Sequence, residues 1–231
     1  MIKLFFKNKV SPLVSKKSYG IVVFTFFGVL IWISSAEYLF SHEIESGECH
    51  ADAALNKHHC HSNGQEVDIP KYDRNLFGKW LDIDGDCQNT RHELLIEFST
   101  QSVGFSENLC RTVRGRWLDP YSGDIFLESS KLDIDHLVPL KFAWDHGAYT
   151  WSKKKRKQFS NDFENLLAVD KSINREKGAY GPTNWLPPNE KYRCQYLLRF
   201  QRVMQIYELN FFVMEYEKFQ ELKQNYCKNN D

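Results

Sequence analysis

The prediction of the fold begins with the stretch Leu132-Asp133-Ile134-Asp135-His136-Leu137-Val138-Pro139. Apolar and polar residues alternate along this stretch until a proline interrupts them. Such alternation predicts a β-strand that ends before Pro139. A short apolar run at 165–169 predicts a second strand. Asp170 is then placed to cap a short helix that Gly178 closes. The sequence therefore predicts a strand, a second strand and a helix in this order.

Elements on both sides of this stretch extend the prediction to an α+β domain. The other predicted elements are a helix at 88–98, a hairpin across the turn-rich residues 119–124, two helical pieces within 140–159, and one or two long helices within 189–226. The last segment carries apolar residues at helical spacing, which predicts a stripe facing the core. The members of this stripe are Tyr196, Leu197, Phe200, Val203, Tyr207, Phe211 and Met214.

Several polar residues in the central stretch suit the hydrolysis of a phosphodiester bond, which needs a base and a cation near the phosphate. Asp135 and His136 are neighbours, so both serve one site only if the strand kinks or ends there. The Asp135 carboxylate and the Asn174 amide are oxygen ligands of the kind that a hard divalent cation prefers. One helical turn beyond Asn174, Lys177 would offer an ammonium group to a phosphate.

These residues form a pattern that resembles the signature of HNH nucleases: Asp133-x-Asp135-His136-x-x-Pro139, Asn165-Leu166 and Asn174-x-x-Lys177-Gly178. Further motifs resemble those of bacterial secreted HNH-family proteins: Cys87-x-x-Thr90-Arg91, Gly115-x-Trp117-x-Asp119-Pro120-Tyr121-x-Gly123, Phe159-x-Asn161-Asp162-x-x-Asn165-Leu166-Leu167-Ala168-Val169 and Gly181-Pro182-x-x-Trp185-Leu186-Pro187-Pro188. The resemblance extends over residues 72–194, more than half of the chain. It implies a ββα-metal (HNH) nuclease core with additional helices.

The resemblance also implies a role for each site residue. His136 would be the general base, and Asn165 would hold the loop that bears it. Asp135 and Asn174 would bind one Mg²⁺ or Mn²⁺ ion at the scissile phosphate. Two residues would support the metal site or the phosphate: Asp133 and Lys177. The implied reaction leaves a 5′ phosphate on the product.

The charge of the chain is unevenly distributed, although its 30 basic and 30 acidic residues balance. Residues 1–36 carry five lysines and no acid, which leaves 25 basic and 30 acidic residues, a net charge of −5, in the rest. A binder whose whole domain is basic is therefore excluded. The candidate contacts to nucleic-acid phosphates are Lys153, Lys154, Lys155, Arg156, Lys157 and Arg175. A run of this kind is also typical of a solvated helix face.

The first 40 residues predict export. After the lysines, residues 21–33 are uncharged and mostly apolar, and small residues follow at 34–36, as in a signal peptide. The apolar character extends from Tyr19 to Phe40 with only Glu37 interrupting, so an uncleaved membrane anchor is the alternative. Both alternatives place the rest of the chain outside the cytosol: periplasmic, anchored to the cell envelope or secreted.

The six cysteines agree with export, because all of them lie beyond the apolar segment. In an oxidising compartment they indicate up to three disulfides, with 15 possible pairings. Proximity along the chain favours Cys49–Cys60, Cys87–Cys110 and Cys194–Cys227. The resemblance implies the second of these pairs as well.

Residues 41–70 predict a separate Cys/His-rich module or linker, which leaves 71–231 for the nuclease domain with its C-terminal helices. The spacing resembles the short YHYH module of some exported bacterial proteins. Its candidate metal ligands are Cys49, His50, His59, Cys60 and His61. Either these residues bind Zn²⁺, or Cys49 and Cys60 form a disulfide and the histidines are surface residues.

Taken together, these features predict an exported metal-dependent endonuclease that hydrolyses DNA. Two alternatives keep the chemistry: a nuclease that acts on RNA, and a secreted toxin nuclease. An alternative from another class is a non-catalytic DNA-binding or envelope structural protein with an HNH-like fold. The sequence identifies no protein partner.

Overall fold

The computed structural model describes the backbone of residues 49–52, 57–62 and 65–228, with side chains from Ile69 onward. The predicted export signal at 1–40 lies outside the described residues. Within the described part of the chain, no helix is long and apolar enough to cross a bilayer. The described elements are helices and small antiparallel sheets, so the predicted α+β class is confirmed.

The described residues form three antiparallel sheets and six α-helices. The strands are β1 (Cys49–Asp52), β2 (Lys57–Ser62), β3 (Gln65–Asp68), β4 (Gly104–Phe105), β5 (Thr112–Leu118), β6 (Ile125–Glu128), β7 (Leu132–His136) and β8 (Leu166–Asp170). The helices are α1 (Thr90–Glu97), α2 (Leu140–Asp145), α3 (Lys153–Asn161), α4 (Lys171–Lys177), α5 (Glu190–Ile206) and α6 (Val213–Cys227). The sheets have the strand orders β1-β2-β3, β4-β5-β6 and β7-β8.

The smaller of two hydrophobic cores joins α1 to β5, β7 and β8. Asn89 begins α1, since its side chain accepts a hydrogen bond from the backbone N–H of Arg91. Leu94 and Leu95 are fully buried, and the indole of Trp117 donates to the Leu95 carbonyl at 2.7 Å. The helix predicted at 88–98 and the hairpin predicted across 119–124 are both confirmed.

Strands β7 and β8 pair antiparallel, with His136 opposite Leu166, and α4 follows directly. Asp170 caps α4, because its carboxylate accepts two backbone N–H bonds of the first turn at 2.8 and 3.1 Å. Gly178 ends the helix at φ +52°, a conformation that glycine adopts without strain. The strand, strand and helix predicted from the sequence are therefore present in that order.

The larger core is packed among helices α2, α3, α5 and α6. Five residues of the predicted stripe are buried: Tyr196, Leu197, Phe200, Val203 and Tyr207. The prediction was wrong for Met214, which is 54% exposed. Helix α5 ends at Ile206 and α6 begins at Val213, so the helical phase of the stripe does not continue across the break.

Two of the predicted disulfides are present. Cys87–Cys110 joins the loop before α1 to the loop before β5. Cys194–Cys227 joins α5 to the last turn of α6. The side chains of Cys49 and Cys60 lie outside the described residues, so that pairing stays a prediction.

Candidate active site

Strand β7 carries the candidate residues on both of its faces. Asp133 and Asp135 lie on the face that packs against α4, where each contacts a residue of that helix. His136 lies on the other face, because β7 continues through it and pairs it with Leu166. A site shared by Asp135 and His136 would require the strand to end or kink between them. The strand instead continues through both residues. The structure thus groups Asp133, Asp135, Asn174 and Lys177, and it leaves His136 on the opposite face.

A buried ion pair joins Asp135 to Lys177. The Lys177 Nζ lies 2.8 Å from Asp135 Oδ2 and 3.1 Å from Oδ1, and it also donates to the His136 carbonyl at 2.9 Å. The Tyr121 hydroxyl donates to Asp135 Oδ2 at 2.6 Å. Burial raises the pKa of Asp135, and the Lys177 ammonium opposes that change. Each oxygen of the Asp135 carboxylate therefore already has a donor, and Lys177 is buried instead of facing a phosphate.

Asp133 and Asn174 form a more accessible pair beside it. Both residues are half-buried, and Asn174 Nδ2 lies 3.3 Å from Asp133 Oδ2. A half-turn of the amide would present its oxygen instead of its nitrogen. A carboxylate and an amide oxygen are the donors that Mg²⁺ and Mn²⁺ prefer, so these two residues fit a hard divalent cation. The carboxylate of Asp135, the other predicted metal ligand, already accepts hydrogen bonds from Lys177 and Tyr121.

His136 is held as a neutral imidazole. Its Nε2 lies 2.9 Å from the Ser160 carbonyl, and since a carbonyl only accepts, the proton is on Nε2. Burial lowers the pKa of His136 to about 3, which leaves Nδ1 unprotonated at neutral pH. Trp80 stacks on the ring at 5.3 Å, with the planes 7° apart. The residue is 6% exposed, so the imidazole is almost completely buried.

The side chain of Asn165 is hydrogen-bonded to the loop that follows His136. Its side chain accepts from the Val138 N–H at 2.8 Å and donates to the Val138 carbonyl at 3.2 Å. Its own carbonyl accepts from the Leu137 N–H at 2.8 Å. Asn165 is fully buried. It therefore fixes both peptide groups of Val138 relative to the start of β8.

Arg199 of α5 fixes the chain on either side of Asn165. Its guanidinium donates to the backbone carbonyls of Phe163 at 2.8 Å, Glu164 at 2.9 Å and Leu166 at 3.0 Å. These three acceptors belong to the turn into β8 and to its first residue. Helix α5 is thus hydrogen-bonded to the segment that positions the loop of the candidate base.

Three exposed carboxylates, outside the predicted site, also lie within 4.8 Å of one another: Asp82, Asp84 and Asp86. Each accepts a backbone N–H from its own loop, as Asp82 does from Gly85 at 2.9 Å and from Cys87 at 3.0 Å. The turn conformation of the loop is sufficient to explain why these three carboxylates are close together.

The predicted basic run forms the first turns of α3, and its members have different surroundings. Arg156 is tied to the backbone, with donations to the carbonyls of Leu76 at 3.3 Å and of Trp151. Lys155 pairs with Glu208 at 3.0 Å. The basic residues of the predicted set that stay exposed are Lys153, Lys154, Lys157 and Arg175. The run is therefore partly scaffold and partly an open basic surface.

Two contacts of His136 were not found from the sequence. Trp80 lies 56 positions before it, and Ser160 contacts it through a backbone carbonyl that any residue would provide. No residue type or spacing signals such a contact. Tyr121 belongs to one of the motifs that carry the resemblance, and that motif was the available signal for its place beside Asp135.

Comparisons with known proteins cover most of the described elements. A family model described as "GmrSD restriction endonucleases, C-terminal domain" matches residues 88–222. A protein of Arthroderma benhamiae, described as an uncharacterized secreted protein, is 38% identical over 141 residues, which are 60% of this chain and 68% of the relative. No solved structure matches. Because the family model matches more than half of its residues, the chain belongs to the family of GmrSD restriction endonuclease C-terminal domains.

Proposed function

We propose that this chain is an exported endonuclease that hydrolyses DNA with one divalent metal ion. The observation that carries the proposal is the imidazole of His136, whose proton is held on Nε2 by the Ser160 carbonyl so that Nδ1 is the unprotonated nitrogen, on a ββα unit in a restriction endonuclease family. Asp133 and Asn174, on the opposite face of β7 from the His136 ring, offer oxygens of the type that binds a divalent metal ion. Two disulfides and a relative described as secreted support export.

In the proposed reaction, Nδ1 of His136 takes a proton from the attacking water. The Ser160 carbonyl keeps the other proton on Nε2, and the Trp80 ring fixes the plane of the imidazole. His136 is 6% exposed, so we expect the segment that carries Trp80 to shift when a nucleic acid docks. Hydrolysis in this manner would leave the 5′ phosphate that the HNH resemblance implies.

Asp133 and Asn174 would hold the metal ion, and Mg²⁺ or Mn²⁺ suits their oxygens. When bound, the ion would neutralise charge on the phosphate. Asp135 and Lys177 would act as positioning residues. Lys177 bonds to both the Asp135 carboxylate and the His136 carbonyl, which holds β7 against α4. This brace keeps Asp133 opposite Asn174, since each pair links the same strand to the same helix.

The exposed cations of α3 and α4 would contact the phosphate backbone. Lys153, Lys154 and Lys157 lie on α3, and Arg175 lies on α4 between Asn174 and Lys177. Such contacts supply affinity without reading a sequence, and they weaken as salt concentration rises. Arg156 and Lys155 are excluded from this set, because their charged groups already bond within the protein.

Cleavage of supercoiled plasmid by the full chain, purified with its disulfides formed, tests the proposal. We expect nicking with Mg²⁺ or Mn²⁺ and none with EDTA. His136→Ala should lower the rate by at least about a hundredfold, because it removes the general base. His92→Ala is the matched control, since the His92 ring accepts a hydrogen bond from the Thr112 N–H in the β4-β5-β6 sheet, away from β7 and β8. Metal-dependent nicking at the wild-type rate by folded His136→Ala would contradict the proposal.

The near-complete burial of His136 favours a second candidate, in which the chain binds DNA without cleaving it. A gel mobility assay in the same buffers separates the two. Retarded plasmid fragments that stay intact with every metal would support the binding protein. Cleavage of RNA but not of DNA would keep the chemistry and change the substrate.

A further inference from the structure

Two segments of the chain carry a concentrated positive charge. Residues 71–79 contain three cations and one acid, and helix α3 contains five cations and no acid, so together they have a net charge of +7. The rest of residues 37–231 contains 17 basic and 29 acidic residues, a net charge of −12. The positive charge of the chain beyond its first 36 residues is therefore confined largely to these two segments.

The two segments lie side by side in the structure. The Ser160 hydroxyl of α3 donates to the Phe77 carbonyl at 2.8 Å. The Lys157 side chain lies against Gly78, where a β-carbon would be 3.5 Å from the Lys157 Cγ. The short 3₁₀ helix Arg74–Phe77 is thus packed against α3, and the exposed cations of the two segments form one basic surface.

Both segments also meet at His136. The Ser160 carbonyl, near the end of α3, bonds to the His136 ring, and Trp80, next to Lys79, stacks on the same ring. Burial is the main cause that lowers the pKa of His136, and the positive charge of Arg74 is close enough to lower it further. The basic surface therefore borders the face of β7 that carries His136.

Most cations of this surface are exposed. They are Lys71, Arg74, Lys79, Lys153, Lys154 and Lys157. Arg74 also interacts with the Tyr72 hydroxyl, a neutral group that leaves the positive charge uncompensated. The acid of the surface, Asp73, accepts the backbone N–H of Asn75 at 2.9 Å and so begins the 3₁₀ helix. Six exposed cations and one acid make a surface suited to a row of phosphates.

We propose that Lys71, Arg74 and Lys79 bind the phosphate backbone of DNA together with the exposed lysines of α3, so that the nucleic acid lies across the His136 face of β7. The inference rests on the proposed function for its substrate class, and it adds a binding segment that precedes α1. Phosphate contacts require charge but no base sequence, as this surface provides. The acidic remainder of the chain would repel a polyanion and so direct it to this side.

Fluorescence anisotropy of a labelled DNA duplex tests the surface. The full chain, with its disulfides formed, is titrated in EDTA so that cleavage does not contribute. The triple variant Lys71→Gln/Arg74→Gln/Lys79→Gln should weaken binding at low salt by more than about tenfold. It should also lower the slope of log affinity against log salt concentration by about three, because three phosphate contacts are lost.

The matched control is Lys191→Gln/Lys218→Gln/Lys228→Gln, which removes the same charge from exposed positions on α5, on α6 and just after α6. It should keep most of the wild-type affinity, and thermal unfolding checks that both variants are folded. Equal losses in the two triple variants would overturn the assignment, because net charge alone would then explain the binding. Absence of duplex binding by wild type at low salt would also overturn it.

Vesicles of phosphatidylserine and phosphatidylcholine distinguish a membrane from a nucleic acid. If the first triple variant loses vesicle binding but keeps duplex binding, the surface serves a lipid headgroup and the assignment is wrong. Plasmid cleavage with Mg²⁺ is measured separately. Duplex binding that only the first variant loses, without cleavage by wild type, would support the surface and contradict the nuclease. Cleavage by wild type with equal duplex binding by both variants would do the reverse.

Discussion

The two faces of β7 bury polar groups by different means. On the α4 face, the Asp135 carboxylate is buried together with the Lys177 ammonium and a hydroxyl donor. On the other face, His136 is buried as a neutral ring with one hydrogen bond to a carbonyl and one stacked indole. A buried charge requires its partner, whereas a buried neutral ring requires only its hydrogen bond. The first face therefore holds a charged pair that links β7 to α4, and the second holds a ring that burial keeps uncharged.

Lys177→Met should have the largest effect, because it leaves the Asp135 carboxylate buried and unpaired. We expect a loss of about 3–5 kcal/mol in the free energy of unfolding, measured by urea denaturation. The double variant Asp135→Asn/Lys177→Met removes both charges and should recover much of this loss. Lys154→Met is the control on an exposed lysine and should change little. Equal unfolding free energies for Lys177→Met and Lys154→Met would show that the Asp135 carboxylate does not need a buried partner on the α4 face.

Tyr121→Phe should have an intermediate effect on the same face. It removes a 2.6 Å hydrogen bond to a charged carboxylate, which contributes about 1.5–3 kcal/mol. Tyr196→Phe is a matched control, because within the described part of the chain the buried Tyr196 hydroxyl has no hydrogen-bond partner. Urea denaturation should show destabilisation of the first variant only. Equal losses would mean that the Asp135 bond adds nothing.

Burial of His136 on the other face should make the free energy of unfolding depend on pH, and this is the smallest of the three expected effects. Burial lowers the pKa of His136 from 6.5 to about 3, so below pH 6.5 the unfolded chain binds a proton that the folded chain does not. This contribution to stability is present above pH 6.5 and is lost as the pH falls toward 3. The loss is about 1.4 kcal/mol per pH unit. Between about pH 7 and pH 5.5, wild type should therefore lose about that much more unfolding free energy than His136→Phe. Parallel pH curves for the two proteins would contradict a buried neutral His136.

Much of the scaffold around this strand could be predicted from local signals. The alternating run before Pro139, the cap at Asp170 and the glycine at Gly178 each act within a few residues, and the structure has the strand and helix that they predict. The pairings Cys87–Cys110 and Cys194–Cys227 were favoured by short separation along the chain and are present. Membership of a restriction endonuclease family also agrees with the HNH resemblance.

The arrangement of the site could not be predicted in the same way, because it depends on contacts between distant residues. Lys177 suggested a phosphate ligand, but the structure pairs it with a carboxylate 42 positions earlier. Whether Asp135 and His136 share a site depended on where β7 ends, and only the pairing of His136 with Leu166 decides that. The role of Arg156 was also hidden, since its partners are backbone carbonyls.

The guanidinium of Arg199 has a consequence for protein engineering. A short unit of β7, β8 and α4, transplanted into another scaffold, would contain the candidate base and the Asp133–Asn174 pair. It would lack the donor that satisfies the carbonyls of Phe163, Glu164 and Leu166. Those acceptors flank Asn165, so a host protein would have to supply an equivalent cation to hold the His136 loop. The smallest portable unit of this protein therefore includes α5.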